Sequence, residues 1–190
     1  MDDVLLGCRC AIALVFVASI LGKLRGQEAY AGFVRATGRL ASGRVIARVP
    51  AGALAGGVIA AEVAVVALTA LPGTARVGLV LAGLLAVAFA VAVLAALRRG
   101  DRAPCNCFGS SVRPVGRTHL VRNAVLIVVA GLGLAAGAAE AGPVGPAGGI
   151  AAVIAGSVVA ALVVRADDLA DLFEPVAPAN GHRVRKGSPR

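Results

Sequence analysis

Five apolar stretches, each close to twenty residues long, constrain the fold of this chain more than any other feature. They run roughly over residues 4–22, 51–71, 77–97, 120–139 and 147–164. An α-helix needs about 20 apolar residues to cross the ~30 Å hydrocarbon core of a bilayer. The sequence therefore predicts an all-α, polytopic membrane helical bundle with five transmembrane helices. Four helices are the alternative, with the last stretch lying in the membrane interface.

The composition excludes the soluble classes of protein. Of the 190 residues, 58% are hydrophobic and 15% are charged, whereas a soluble domain carries about 25% charged residues. A soluble enzyme, a disordered protein and a hydrated nucleic-acid-binding domain are thus excluded, and the expected partner is the lipid bilayer rather than nucleic acid. We assign residues 1–165 to the bundle and the basic residues 166–190 to a disordered C-terminal tail.

The distribution of basic residues predicts the orientation of the bundle. The chain carries 19 Lys and Arg against 10 Asp and Glu, a net charge of +9. The basic residues concentrate in segments 23–50 and 98–123 and after residue 164, whereas the opposite side holds only Arg9 and Arg76. Because short cytoplasmic loops are enriched in Lys and Arg, we expect an external N-terminus and a cytoplasmic C-terminus. The positive charge also favours contact with anionic lipids.

Pairs of small residues four positions apart recur in the predicted spans. These pairs are Gly52/Gly56, Ala53/Gly57 and Gly133/Gly137. In lipid, this spacing allows two helix backbones to approach closely. A general bias of the chain towards Ala and Gly is the alternative explanation.

The most chemically suggestive motif is a Cys-x-Cys pair between the third and fourth spans, with Cys105 and Cys107 followed by Phe and Gly. Pro104 before it and Gly109 after it favour irregular backbone near the membrane surface. Neighbouring arginines favour the thiolate, which is the reactive form of cysteine. A disulfide closed over one intervening residue is strained and easily reduced, which suits a redox carrier.

Two other interpretations of Cys105 and Cys107 stay open at this stage. They are inert loop cysteines, or they form a metal site together with His119. The spacing matches no common zinc pattern, so we predict no metal site.

A second Cys-x-Cys pair, Cys8 and Cys10, lies at the start of the first span. Residues two apart on a helix point to different faces. This favours buried, inert thiols, with a second thiol pair as the alternative.

Glu62 is the one acidic residue in the middle of an apolar span. Ionisable residues within a membrane face the bundle interior or a polar partner and are candidates for function. Lys23, Arg122 and Asn123, which lie at span edges, are its candidate partners. A functional Glu62 would relay protons or brace the thiol loop. The structural alternative is a protonated Glu62 hydrogen-bonded to a neighbouring helix.

These features together resemble the methylamine-utilisation MauE family, within the broader DoxX-like group of redox-associated membrane proteins. The resemblance covers roughly residues 10–140, and the Cys-x-Cys-Phe-Gly element is its most specific part. The matching pieces are Gly22-Lys23-Leu24-Arg25, Glu62, Cys105-Asn106-Cys107-Phe108-Gly109 and Arg122-Asn123.

The resemblance implies a multi-pass protein of the bacterial plasma membrane that supports thiol–disulfide exchange. It implies that Cys105 and Cys107 are the redox pair, whereas Cys8 and Cys10 fall outside the family pattern. Relatives are associated with maturation of the disulfide-rich small subunit of methylamine dehydrogenase, which implies a thioredoxin-like partner or a disulfide-rich client.

The leading hypothesis is thus a membrane protein that supports thiol–disulfide exchange, with catalytic Cys105 and Cys107 and supporting Lys23, Glu62, Arg122 and Asn123. The sequence leaves open whether this role is enzymatic. The alternatives are a non-enzymatic assembly or scaffold protein and a transporter of small solutes or metal ions. No binding motif for a quinone or another cofactor is visible, so no cofactor is predicted.

Overall fold

The computed structural model describes residues 2–40, 49–100, 117–138, 145–166 and 168. The helices in these ranges are α1 (Asp2–Leu24), α2 (Gln27–Leu40), α3 (Ala51–Ala70), α4 (Ala75–Arg98), α5 (Arg117–Ala138) and α6 (Pro146–Val164). A short 3-10 turn at Pro72–Thr74 joins α3 to α4. Two parts of the chain that the sequence analysis discussed lie outside the described residues. They are the segment that carries Cys105 and Cys107 and the C-terminal tail from residue 169.

Five of these helices, α1, α3, α4, α5 and α6, are long and apolar enough to cross a membrane. The prediction of an all-α polytopic bundle with five spans is confirmed, and α6 is not a short interfacial segment. Large apolar side chains cover the outer surface; Leu21, Leu84 and Ile150, for example, are each more than 60% exposed. This surface is stable only against lipid, because water would have to hydrate it.

The first helix, α1, forms the centre of the bundle. It packs against α2, α3, α5 and α6, while α4 packs against α3 and α5. The apolar core contains Ile12, Val15 and Phe16 of α1 together with Val65 of α3 and Leu79 of α4. Since α1 touches most of the other helices, polar residues on its inner face meet partners from several elements.

The helix α2 lies in the basic segment between the first two spans, where the sequence analysis predicted no helix. Its 14 residues have no continuous apolar run, and its buried positions are Gly32, Phe33 and Ala36, spaced along one face. This one-sided pattern is typical of an amphipathic helix. The polar side of α2 is exposed and the apolar side packs on α3 and α1.

Three arginines hydrogen-bond to the last carbonyls of a neighbouring helix. The contacts join Arg9 to Thr69 and Ala70 of α3 (2.8 and 2.9 Å), Arg76 to Gly137 of α5, and Arg122 to Val163 and Val164 of α6 (2.9 and 3.2 Å). The last four carbonyls of a helix lack partners within that helix, and inside a membrane water does not supply them. Cations also interact favourably with the negative end of a helix dipole. This explains why Arg9 and Arg76 occur on the side of the bundle that is otherwise poor in basic residues.

Most of the glycines that the sequence pattern predicted at helix interfaces are not where the helices approach most closely. Gly52 and Gly56 of α3 have open space where a side chain would extend, so the prediction that they form a helix interface is wrong for the described residues. Gly133 does pack closely, since an added Cβ would lie 2.9 Å from Leu79. The closest contact joins α1 and α6, where a Cβ at Gly156 would overlap the carbonyl oxygen of Gly7.

Replacing Gly156 by valine should therefore separate α6 from α1 and destabilise the bundle by roughly 1–3 kcal/mol, the usual cost of overpacking. The matched control is Gly56→Val on α3, which adds the same side chain to open surface. Thermal unfolding in detergent micelles measures both variants. Equal stability of the two variants would contradict the close α1–α6 contact.

Candidate functional site

A buried ion pair joins α1 to α3 inside the bundle. Lys23 Nζ lies 2.5 Å from Glu62 Oε1, and the two side chains are only 1% and 2% exposed. The hydroxyl of Ser19 donates to the same Glu62 oxygen at 3.0 Å and accepts a hydrogen bond from Lys23 Nζ at 2.6 Å. The three side chains form a closed triangle of hydrogen bonds, which we call the polar triad.

Helix geometry explains how Lys23 reaches this position from the last turn of α1. Side chains on an α-helix tilt towards its N-terminus, so the Lys23 stem extends back over Ser19, one turn earlier, and into the bundle. The ring of Phe33 on α2 covers the ammonium group, with its centroid 4.9 Å from Nζ. This is a cation–π contact, and it places α2 over the triad.

Burial makes the two charges of the triad depend on each other. A single ion in a low-dielectric interior loses its hydration at a cost of several kcal/mol. Only a close opposite charge can compensate for this cost. Because Lys23 and Glu62 neutralise each other at hydrogen-bond distance, the pair is tolerated at a depth where either residue alone is not.

A cavity of about 50 Å³ adjoins the triad. Its polar wall combines Lys23 and Glu62 with His119, Arg122 and Asn123 from the first two turns of α5. The remainder of its lining is apolar and comes mainly from α1 and α4. A cavity of this size and polarity has room for water, since one molecule needs only about 10–15 Å³ of such volume.

Glu62 has unused hydrogen-bonding capacity. Its Oε1 holds both Lys23 and Ser19, whereas its buried Oε2 makes no hydrogen bond to any residue that the structure describes. Buried carboxylate oxygens normally have partners. The arrangement can therefore accept one further hydrogen-bond donor at Oε2.

The structure brings together all four residues that the sequence proposed as support for the thiol pair, because Lys23, Glu62, Arg122 and Asn123 line one cavity. Among the candidate partners of Glu62, Lys23 makes the ion pair. Arg122 donates to the end of α6, as described above, and Asn123 donates its amide to the His119 carbonyl at 2.7 Å.

Two members of the site escaped the sequence analysis. Ser19 lies one helical turn before Lys23, so the four-residue spacing could have predicted that the two side chains lie on the same face of α1. Phe33 had none, because only the packing of α2 brings its ring to the ammonium group.

The two cysteines described by the structure, Cys8 and Cys10, are both free. Cys8 faces α5, since its Cβ lies 3.0 Å from where a Gly133 side chain would begin, and Cys10 faces α6 at Gly156. Their Cβ atoms therefore contact different helices. Among the described residues, no group of three or more His, Cys, Asp or Glu is arranged to hold a metal ion.

Comparison with models of protein families identifies the family of this chain. The family model described as "Methylamine utilisation protein MauE" matches residues 1–136, well over half of the sequence. The chain belongs to the MauE family. Searches of curated proteins and of solved structures gave no match.

The match to the MauE family spans α1 to α4 and nearly all of α5. It includes the polar triad, the cavity wall from α5 and the segment that carries Cys105 and Cys107. The sixth helix, α6, lies beyond the matched residues. The protein is thus a multi-pass membrane protein of this family, and α6, outside the matched residues, packs against α1.

Proposed function

We propose that this MauE-family protein supports thiol–disulfide exchange through Cys105 and Cys107 in the bacterial plasma membrane. The partner would be a disulfide-rich client or a thioredoxin-like protein, and the process would be methylamine utilisation or the maturation of such a client. Family membership supports this proposal, as does the meeting of the two helices that flank the cysteine segment at the cavity beside the polar triad.

The observation that carries the proposal concerns the two described helices that flank the cysteine segment in the sequence. This segment follows α4, which ends at Arg98, and precedes α5, which begins at Arg117. Val93 near the end of α4 and His119 near the start of α5 both line the cavity beside the triad. The last part of α4 and the first turn of α5 therefore meet at the same cavity as the triad.

The exchange would proceed in two steps that conserve electrons. In the first step, the thiolate of one cysteine attacks a disulfide of the partner, forms a mixed disulfide and releases one partner thiolate. In the second step, the other cysteine attacks the mixed disulfide, which releases the second partner thiolate. The pair loses two electrons and two protons to become a disulfide, and the partner gains them to become a dithiol. The reverse sequence would oxidise a client.

The polar triad would have a positioning role in this reaction. Lys23 and Glu62 link α1 to α3, and Phe33 brings α2 onto the same cluster. Fixing α4 and α5 beside this cluster would restrain the two helices that flank the thiol segment in the sequence.

Trapping the thiols with a membrane-impermeant maleimide tests the proposal, in cells that express a Cys8→Ser/Cys10→Ser variant. In lysate, we expect a fraction of Cys105 and Cys107 to react only after reduction, because a working pair populates its disulfide. In intact cells, we expect no reaction, because the charge distribution predicts cytoplasmic thiols. Reaction in intact cells after reduction would reverse the predicted orientation but retain the redox role. Complete labelling without reductant, under both aerobic and oxidant-treated conditions, would refute the redox role.

A further inference from the structure

An apolar groove lies on the outer surface of the bundle, between α2, α3 and α4. It has a volume of about 210 Å³ and is lined by side chains that include Phe33, Leu54, Val58, Leu85 and Ala88. The groove lies towards the end of the bundle that contains α2 and the first part of α3. Because this surface is embedded in lipid, a molecule dissolved in the bilayer can enter the groove without crossing water.

The groove ends at the wall of the polar cavity. Leu40 of α2 and Phe89 of α4 line both spaces. On one side of these two side chains is apolar surface in contact with the bilayer, and on the other side is the cavity with Glu62 and Lys23. Leu40 and Phe89 therefore form a shared boundary between the two spaces.

We propose that this paired space binds a bilayer-soluble amphiphile with a single aliphatic tail and a compact, neutral, hydroxyl-bearing head. The tail would occupy the groove. The head would pass between Leu40 and Phe89 and donate a hydrogen bond to Oε2 of Glu62, which has no partner among the described residues. This inference does not depend on the thiol chemistry proposed above.

The charges around the cavity favour a neutral head. Lys23 and Glu62 already neutralise each other at 2.5 Å, and the guanidinium of Arg122 donates to carbonyls of α6. A carboxylate or a trimethylammonium head has no hydrogen to donate to Oε2, and burying either ion would also cost its hydration. A hydroxyl instead adds a donor to a buried acceptor and leaves the charge balance unchanged.

The dimensions favour a compact head and a single tail. The cavity of about 50 Å³ holds little more than a small polar group, and the groove of about 210 Å³ is lined mainly by apolar side chains. Two sources supply this chemistry: aliphatic alcohols and hydroquinones that bear a hydrocarbon tail. Both present a neutral hydroxyl at the end of an apolar chain.

Photolabelling tests the proposal in vesicles of phosphatidylcholine that contain the full-length Cys105→Ser/Cys107→Ser variant. The use of this variant separates the result from the fate of the thiol proposal. The probe is a medium-chain alcohol that carries a diazirine in its tail, and labelled residues are located by mass spectrometry. We expect labels on α4 near Leu85 and Phe89. Matched probes with a carboxylate or a trimethylammonium head should label there about tenfold less.

A pair of substitutions controls for simple lipid exposure. Ala88→Trp fills the groove and should abolish labelling on α4, whereas Ala135→Trp adds the same side chain to an exposed face of α5 and should leave it unchanged. Competition by unlabelled decanol or by decylhydroquinone supports the proposal and identifies which source binds better. Equal labelling by neutral and charged probes, insensitivity to Ala88→Trp, or lack of competition by both compounds would each overturn it.

Discussion

Replacing Lys23 by methionine is expected to destabilise the protein by about 3–5 kcal/mol, the usual cost of leaving one partner of a buried ion pair uncompensated. The carboxylate of Glu62 would remain 2% exposed among apolar helices with only the Ser19 hydroxyl as a partner. Glu62→Leu should cost a similar amount, because it leaves the ammonium group of Lys23 buried without a counter-charge. The free energy of unfolding in mixed micelles, followed by circular dichroism during titration with a denaturing detergent, measures both effects.

The double variant Lys23→Met/Glu62→Leu distinguishes the ion pair from simple packing. Removing both charges together eliminates the unpaired ion, so most of the lost stability should return, and the two substitutions should be strongly non-additive. Arg25→Gln is the matched control, since Arg25 is a cation only two residues away that is exposed. It should change stability by less than about 0.5 kcal/mol. Additive effects of the two single substitutions would show that the pair is not coupled.

Single substitutions of Cys105 and Cys107 by serine are expected to have opposite outcomes, and either one should abolish complete thiol–disulfide exchange. The variant that retains the attacking cysteine cannot resolve the mixed disulfide, so it should accumulate a covalent adduct with its partner. The other variant and the double variant should form no adduct. Non-reducing gels of cells treated with acid and a thiol-blocking reagent detect this adduct, and its disappearance after reduction identifies a disulfide.

The cysteines of α1 supply the control for this experiment. Cys8→Ser/Cys10→Ser should retain exchange at the level of the unmodified protein, because both residues lie within the bundle and face different helices. Loss of exchange in this variant, together with its retention in Cys105→Ser/Cys107→Ser, would show that Cys8 and Cys10 are the redox pair and would contradict the proposal. Loss in neither variant would favour a non-enzymatic assembly role.

The sixth helix extends the bundle beyond the part of the chain that matches the family. The match ends at residue 136, yet α6 packs closely on α1 at Gly156, and Arg122 of α5 caps its C-terminal carbonyls. These contacts join α6 to residues within the matched region. The helix is therefore part of the same folded unit, and Arg122 contributes both to the wall of the cavity and to the docking of α6.

The sequence by itself determined the helical membrane class and indicated five spans with their approximate bounds. These properties are local, because about twenty consecutive apolar residues have few stable alternatives to a helix across a bilayer. It also identified Glu62 as an anomaly, since a carboxylate in an apolar span is costly wherever its partner lies. The helix α2 was missed because its apolar residues are spread along one face and form no continuous run.

The tertiary structure alone decided which residues meet. Lys23 and Glu62 are 39 positions apart, and the arginines that cap helices reach carbonyls 41–61 positions away. Hydropathy carries no signal for such pairings, because they depend on which helix faces turn inward and on how closely two backbones approach. Small residues at Gly56 and Gly156 look alike in the sequence, but only Gly156 meets another backbone. The physical reason is that spans form independently in lipid, whereas their packing selects among many surfaces of similar polarity.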